Sequence, residues 1–147
     1  HGPSRKKAVE ESLQAAYCEE LQDLLKVADI VSLHCPLTAA SQKIIDAAAL
    51  ASMKPEAILI NTGRGALVDE EALVAALGSG TLAAAGLDVF ENEPEVHPAL
   101  LTMSNVTLSP HIGSATAECR GAMVGCAIQN VIACLEGRAL LNPVLMN

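Results

Sequence analysis

Three ionisable residues each stand just beyond a short apolar run. Arg64 sits in NTGRG after AILI, Glu93 in DVFENEP after AAAGL, and His111 in LSPHIG after NVTL. A guanidinium, a carboxylate and an imidazole together can do acid–base chemistry on a substrate that carries its own carboxylate. Arginine grips such a group with two parallel hydrogen bonds, imidazole exchanges a proton near neutral pH, and glutamate orients the imidazole and stabilises its charged form. Taken singly, each has a plainer reading as a solvated loop residue or a satisfied structural histidine. Their shared placement, one after each run, favours a site. Gly63 and Gly65 let the backbone turn sharply around Arg64. Pro94 and Pro110 stiffen the other two segments. The remaining histidines carry less: His97 reads as a surface turn residue in EVHPAL, His34 as a strand-end residue bordering a crevice, and His1 supports no argument.

The elements that must position these residues follow from changes in apolar period. Residues 15–17 (AAY) read as a short strand and residues 19–27 as a helix. ADIVSLHC at 28–35 reads as a strand stopped by Pro36. Asp46 caps a helix that ends at Lys54-Pro55, and AILIN at 57–61 forms the next strand. Asp69 caps EEALVAALGSG, whose two leading acids suit a helix amino terminus, with Gly78 and Gly80 at the exit. AAAGLDVF at 83–90 and NVTLS at 105–109 are further strands, separated by a proline-rich loop. A helix from Thr116 to Glu136, ended by Gly137, sets Val124, Ile128, Val131 and Leu135 on one face. Apolar strands alternating with helices predict an α/β fold, a doubly wound parallel sheet. In such sheets ligands bind outside the carboxyl ends of the strands, which is where Arg64, Glu93 and His111 fall.

Composition narrows the function classes. The chain has 147 residues, enough for one domain with a core, and a formal charge of -8. Nucleic-acid binding needs a clustered basic face and aromatic platforms, whereas this chain has one Phe, one Tyr and no Trp. No run of strongly apolar residues is long enough to span a membrane. The five cysteines, at 18, 35, 119, 126 and 134, have no metal-ligand spacing and suit reduced thiols in a cytoplasmic compartment. Cys119, Cys126 and Cys134 recur at helical spacing and read as small buried hydrophobes.

ADIVSLHCPLT, MKPEAILINTGRGALVDEEALVAAL, AGLDVFENEP and NVTLSPHIGSAT, in that order, resemble the signature segments of the D-isomer-specific 2-hydroxyacid dehydrogenases. Within that family, ENEPEVHPALLTMSNVTLSPHIGSAT most resembles the glyoxylate and hydroxypyruvate reductase branch. The resemblance implies that Arg64 binds the 2-oxo acid carboxylate and that His111 donates the proton in reduction and accepts it in oxidation. It implies that Glu93 pairs with His111. Asp88 matches a residue that contacts the nicotinamide carboxamide, Thr62 and Gly113 match cofactor-side positions, and Pro36 lies in the loop bordering the cofactor. No metal is implied. The implied substrate is a small 2-oxo or 2-hydroxy acid, and the family's habit of pairing through this domain implies a homodimer.

One departure stands out. A dinucleotide-binding fold begins with a strand and a G-x-G-x-x-G turn that holds the pyrophosphate, and no such motif occurs in the sequence. The chain therefore reads as a partial Rossmann-type NAD(P)-binding domain over 1–147. It lacks the first strand, the glycine-rich turn and the substrate domain, and it is not expected to turn over substrate alone. Ser4, Arg5 and Lys6 would follow the second strand, where basic residues accommodate the extra phosphate of NADP(H), so NADP(H) is favoured over NAD(H). The alternatives are phosphoglycerate oxidation, a corepressor-like protein that senses dinucleotide, and an inactive scaffold fragment.

Overall fold

The computed structural model describes residues 6–143. The chain divides into two compact units, 1–111 and 112–147. The first unit carries helices α1 (Lys7–Leu13), α2 (Leu21–Val27), α3 (Ala47–Ser52) and α4 (Glu70–Ser79). Its strands are β1 (Ile30–Leu33), β2 (Ile58–Asn61), β3 (Ala84–Leu87) and β4 (Val106–Leu108). The strands form one parallel sheet in the order β1-β2-β3-β4.

Strand alternation decides which residues meet the core. Val31, Leu59 and Ala85 are register partners and buried, as are Leu33, Asn61 and Leu87. Leu25 of α2, Ala49 and Leu50 of α3, and Leu73 and Leu77 of α4 belong to the same cluster. Helices α2, α3 and α4 touch in series and so line that face of the sheet. On the other face Ile30 and Ser32 of the edge strand β1 are exposed. Burying a leucine fully contributes about 1.5–3 kcal/mol, and Leu25, Leu59, Leu67, Leu73 and Leu82 are all 0% exposed.

The helix starts follow the capping rules. Asp46 accepts from Ala49 N at 2.8 Å and Asp69 from Ala72 N at 3.2 Å. Helix α4 leaves through Gly80 at φ 76°, which a residue without Cβ adopts freely. One expectation changes and one element is new. Residues 15–17 form no strand, because Ala15 N–H is taken by Glu10 O in closing α1. The opening residues include that helix, which their basic character did not suggest.

The second unit holds α5 (Ala117–Leu135), capped by Thr116, whose side chain accepts from Cys119 N at 3.1 Å. Asn130 Oδ1 accepts from Leu141 N and Asn142 N, which ties the following segment back to the helix. Val124, Ile128, Val131 and Leu135 share a face as the spacing predicts, but all four are exposed. Cys126 and Cys134 are exposed and Cys119 is only partly covered, so reading these cysteines as buried hydrophobes is corrected. Among the described residues no helix is long and apolar enough to cross a membrane.

Candidate active site

Asn61 ends β2 and is 1% exposed. Its Nδ2 donates to Arg64 O at 2.9 Å and its Oδ1 accepts from Gly63 N at 3.1 Å, so one buried amide closes the turn that presents Arg64. Asn61 O also accepts from Asp88 N at 3.0 Å, which ties this turn to the end of β3. The Arg64 backbone is extended and its guanidinium is exposed, donating to Gly63 O at 2.7 Å.

The next two exits meet each other. Phe90 N donates to Glu93 Oε1 at 3.0 Å, and His111 Nδ1 lies 2.7 Å from Glu93 Oε2. The His111 hydrogen bond, then the Phe90 N–H, hold the Glu93 carboxyl below the usual carboxylate range, with Arg64 adding a smaller share. An ionised carboxylate only accepts, so Nδ1 carries the proton of this bond and Nε2 is left for other chemistry. His111 has φ 53°, the left-handed region that a residue with a Cβ seldom enters. Its N–H donates to Asp88 O at 2.8 Å and Ser109 O at 3.1 Å, and such strain persists where neighbouring bonds over-determine it. Asp88 is itself buried, and Ser109 Oγ donates to its Oδ1 at 2.6 Å.

Arg64, Glu93 and His111, three separate positions in the sequence, line one open cleft of about 560 Å³, along with Leu37, Phe90 and Asn92. The cofactor-side expectations fall less uniformly. Thr62 is exposed on the Arg64 turn, and Asp88 is buried at the end of β3. Pro36 is exposed, its carbonyl accepting from Ser41 Oγ at 2.7 Å, and the residue after it lines the cleft. Gly113 belongs to the second unit. Ser4 and Arg5 lie outside the described residues. His34 bonds Ser32 Oγ and does not line the cleft, while His97 bonds Glu71 and Ala99 N on a surface turn. Among the described residues no group of three or more His, Cys, Asp or Glu could hold a metal. Sequence reasoning missed Asn61 and Ser109. A polar residue closing the apolar run AILI was the available signal for Asn61; nothing in the sequence pairs Ser109 with Asp88.

Four parallel strands with charged residues gathered past their carboxyl ends define a Rossmann-type α/β domain. Residues 1–113 match the family profile described as D-isomer specific 2-hydroxyacid dehydrogenase, NAD binding domain, and the chain belongs to that family. The glyoxylate/hydroxypyruvate reductase B of Salmonella newport is 49% identical over 145 residues, covering 98% of this chain and 44% of that protein. The chain thus spans less than half the length of such relatives. The NADPH-dependent glyoxylate/hydroxypyruvate reductase of Sinorhizobium meliloti, solved with NADP and malonate, superposes with a TM-score of 0.87 at 43% identity, over 91% of this chain and 42% of that one. The holo D-mandelate dehydrogenase of Rhodotorula graminis superposes with a TM-score of 0.90 at 36% identity, over 97% and 42% respectively. Relatives with such different acids in their names share one frame.

Proposed function

We propose that this chain forms the cofactor-side half of an NAD(P)H-dependent reductase of small 2-oxo acids, with glyoxylate or hydroxypyruvate as substrate. The observation that carries this is the convergence of Arg64 with the Glu93–His111 pair in one cleft. Arg64 binds the substrate carboxylate through its forked donors and turns the 2-oxo group toward His111. Glu93 holds Nδ1–H, so that protonated His111 points Nε2–H into the cleft and gives that proton to the carbonyl oxygen as it becomes a hydroxyl. After transfer, Nε2 is a lone pair, the base that the reverse oxidation requires.

The donor set at the strand ends suits a nicotinamide: the buried Asp88 carboxylate is the kind of acceptor a carboxamide N–H needs, and Thr62 borders the same ends. When bound, the nicotinamide supplies the hydride to the carbonyl carbon. The G-x-G-x-x-G turn that would hold a pyrophosphate does not occur in this sequence. NADP(H) over NAD(H) is supported by Arg5 and Lys6 and by the relative described as NADPH-dependent. A homodimer is supported by the exposed apolar face of α5.

The test is a graft of this chain in place of the matching segment of the Salmonella reductase, followed by nucleotide oxidation with glyoxylate and with hydroxypyruvate. Oxidation is expected with both acids, faster with NADPH than NADH. Arg64→Gln and His111→Gln should each lower kcat/KM by about 10²–10⁴-fold. A folded graft that oxidises nucleotide with neither acid, or mutants that keep the parent rate, would overturn the reading.

A further inference from the structure

Glu70 is the second residue after the Arg64–Gly65 loop's closing Val68 and sits in the first turn of α4, where an exposed acid would satisfy the helix dipole. It is instead 7% exposed. A buried carboxylate is costly unless hydrogen-bonded, and Glu70 Oε1 accepts from Glu91 N at 2.5 Å. That bond crosses 21 residues to the loop carrying Glu93. Two more features press on the same loop. A Cβ on Gly65 would lie 1.9 Å from Phe90 C and O and 2.4 Å from Glu91 N, so the Arg64 turn rests directly on that backbone. Lys43 Nζ bridges Glu91 at 3.0 Å and Asp69 at 3.3 Å, fixing the Glu91 side chain as Glu70 fixes its N–H. Phe90, the neighbour so held, gives its N–H to Glu93 Oε1.

We propose that Glu70 is a positioning residue for the proton-transfer pair. Its carboxylate seats the 90–93 loop on Gly65, which sets Glu93 Oε2 opposite His111 Nδ1 and keeps Arg64 and His111 on one cleft. The inference rests on the proposed reaction for its purpose, and its geometry can be read without turnover. The chemistry required of residue 70 is a hydrogen-bond acceptor of glutamate's length, so glutamine serves and leucine does not.

The test uses the 147-residue chain and reads the neutral His111 imidazole by its ¹⁵N shifts, because the hydrogen bond made by one ring nitrogen decides which carries the proton. The wild type should hold the proton on Nδ1, and Glu93→Gln should lose that preference. Glu70→Leu and Gly65→Ala are expected to reproduce the Glu93→Gln spectrum while most of the backbone amide fingerprint is retained, and Glu70→Gln to keep the wild-type spectrum. A lowered melting temperature with an unchanged His111 signature in Glu70→Leu would mean a structural role alone and overturn the proposal. So would a folded Glu70→Gln that loses the signature. If Glu70→Leu does not fold, Gly65→Ala and Glu70→Gln decide by the same criteria. Glu93→Gln indistinguishable from wild type would overturn the Glu93–His111 pairing and this inference with it, whereas a graft without turnover would overturn only the reaction.

Discussion

Helices α4 and α5 begin alike and end up differently. Each starts on a side chain that accepts from the N–H three residues on, Asp69 in one and Thr116 in the other, and each is rich in apolar residues. In α4 the apolar positions Leu73 and Leu77 are buried against the sheet. In α5, Val131 is 59% exposed and Leu135 82%. Capping and periodicity make a helix with a stripe, while the stripe's energetic value depends on a partner surface. The first unit provides one for α4, whereas the stripe of α5 is exposed.

Mutations should widen or erase that contrast. Leu59→Ala, in the middle of the sheet's buried face, is expected to lower unfolding free energy by about 2–5 kcal/mol in urea titrations. Asp69→Ala removes the α4 cap and one arm of the Lys43 bridge, and should cost about 0.5–2 kcal/mol by the same measurement.

A smaller effect is set by pH. The His111 bond lowers the Glu93 pKa, and the Ala72 N–H lowers that of Asp69, with Lys43 adding to it. A depressed folded-state value means that their stabilisation is complete above the unfolded carboxyl values, near 4.5 and 3.8, and is lost as pH falls through the folded values below these. The Lys43 ammonium is raised by bonds to Glu91 and Asp69, so its share is full below its ordinary 10.5 and is lost as pH rises through the folded value above that. The lowered carboxyl values should therefore show as a loss of stability on the acid side, and Glu93→Gln should flatten that acid limb. A Glu93→Gln chain with the wild-type acid limb would contradict the assignment. The pair is partly solvated, which keeps the effect modest. Smallest of all, Val131→Ser on the exposed face of α5 should change unfolding free energy by no more than about 0.5 kcal/mol. It should still weaken self-association in sedimentation if that face is the dimer surface.

Much of the first unit was legible. The apolar runs at 30–33, 58–61, 84–87 and 106–108 are strands, and the caps Asp46 and Asp69 are where the sequence places them. Local pattern suffices there because a cap or an alternating run is decided within a few residues. Residues 15–17 show the limit of the same method: three residues with strand-like content have no structure unless a neighbouring strand takes their hydrogen bonds, and here α1 uses the Ala15 N–H instead.

By itself the sequence determined the order of strands and helices, and with it the placement of Arg64, Glu93 and His111 past three strand ends. Those depend on short-range preferences and on the rule that parallel strands present their carboxyl ends together. Only the tertiary structure decided how these residues are held. Asn61 closing on Arg64, Ser109 reaching Asp88 and Glu70 reaching Glu91 join positions 3, 21 and 21 residues apart, the second from loop to loop and the third from a helix to a loop. A glutamate in a first helical turn serves the helix dipole equally well facing water or facing another loop. Which way it faces is decided by packing, because only a folded neighbour can exclude water and leave Glu91 N–H as its partner.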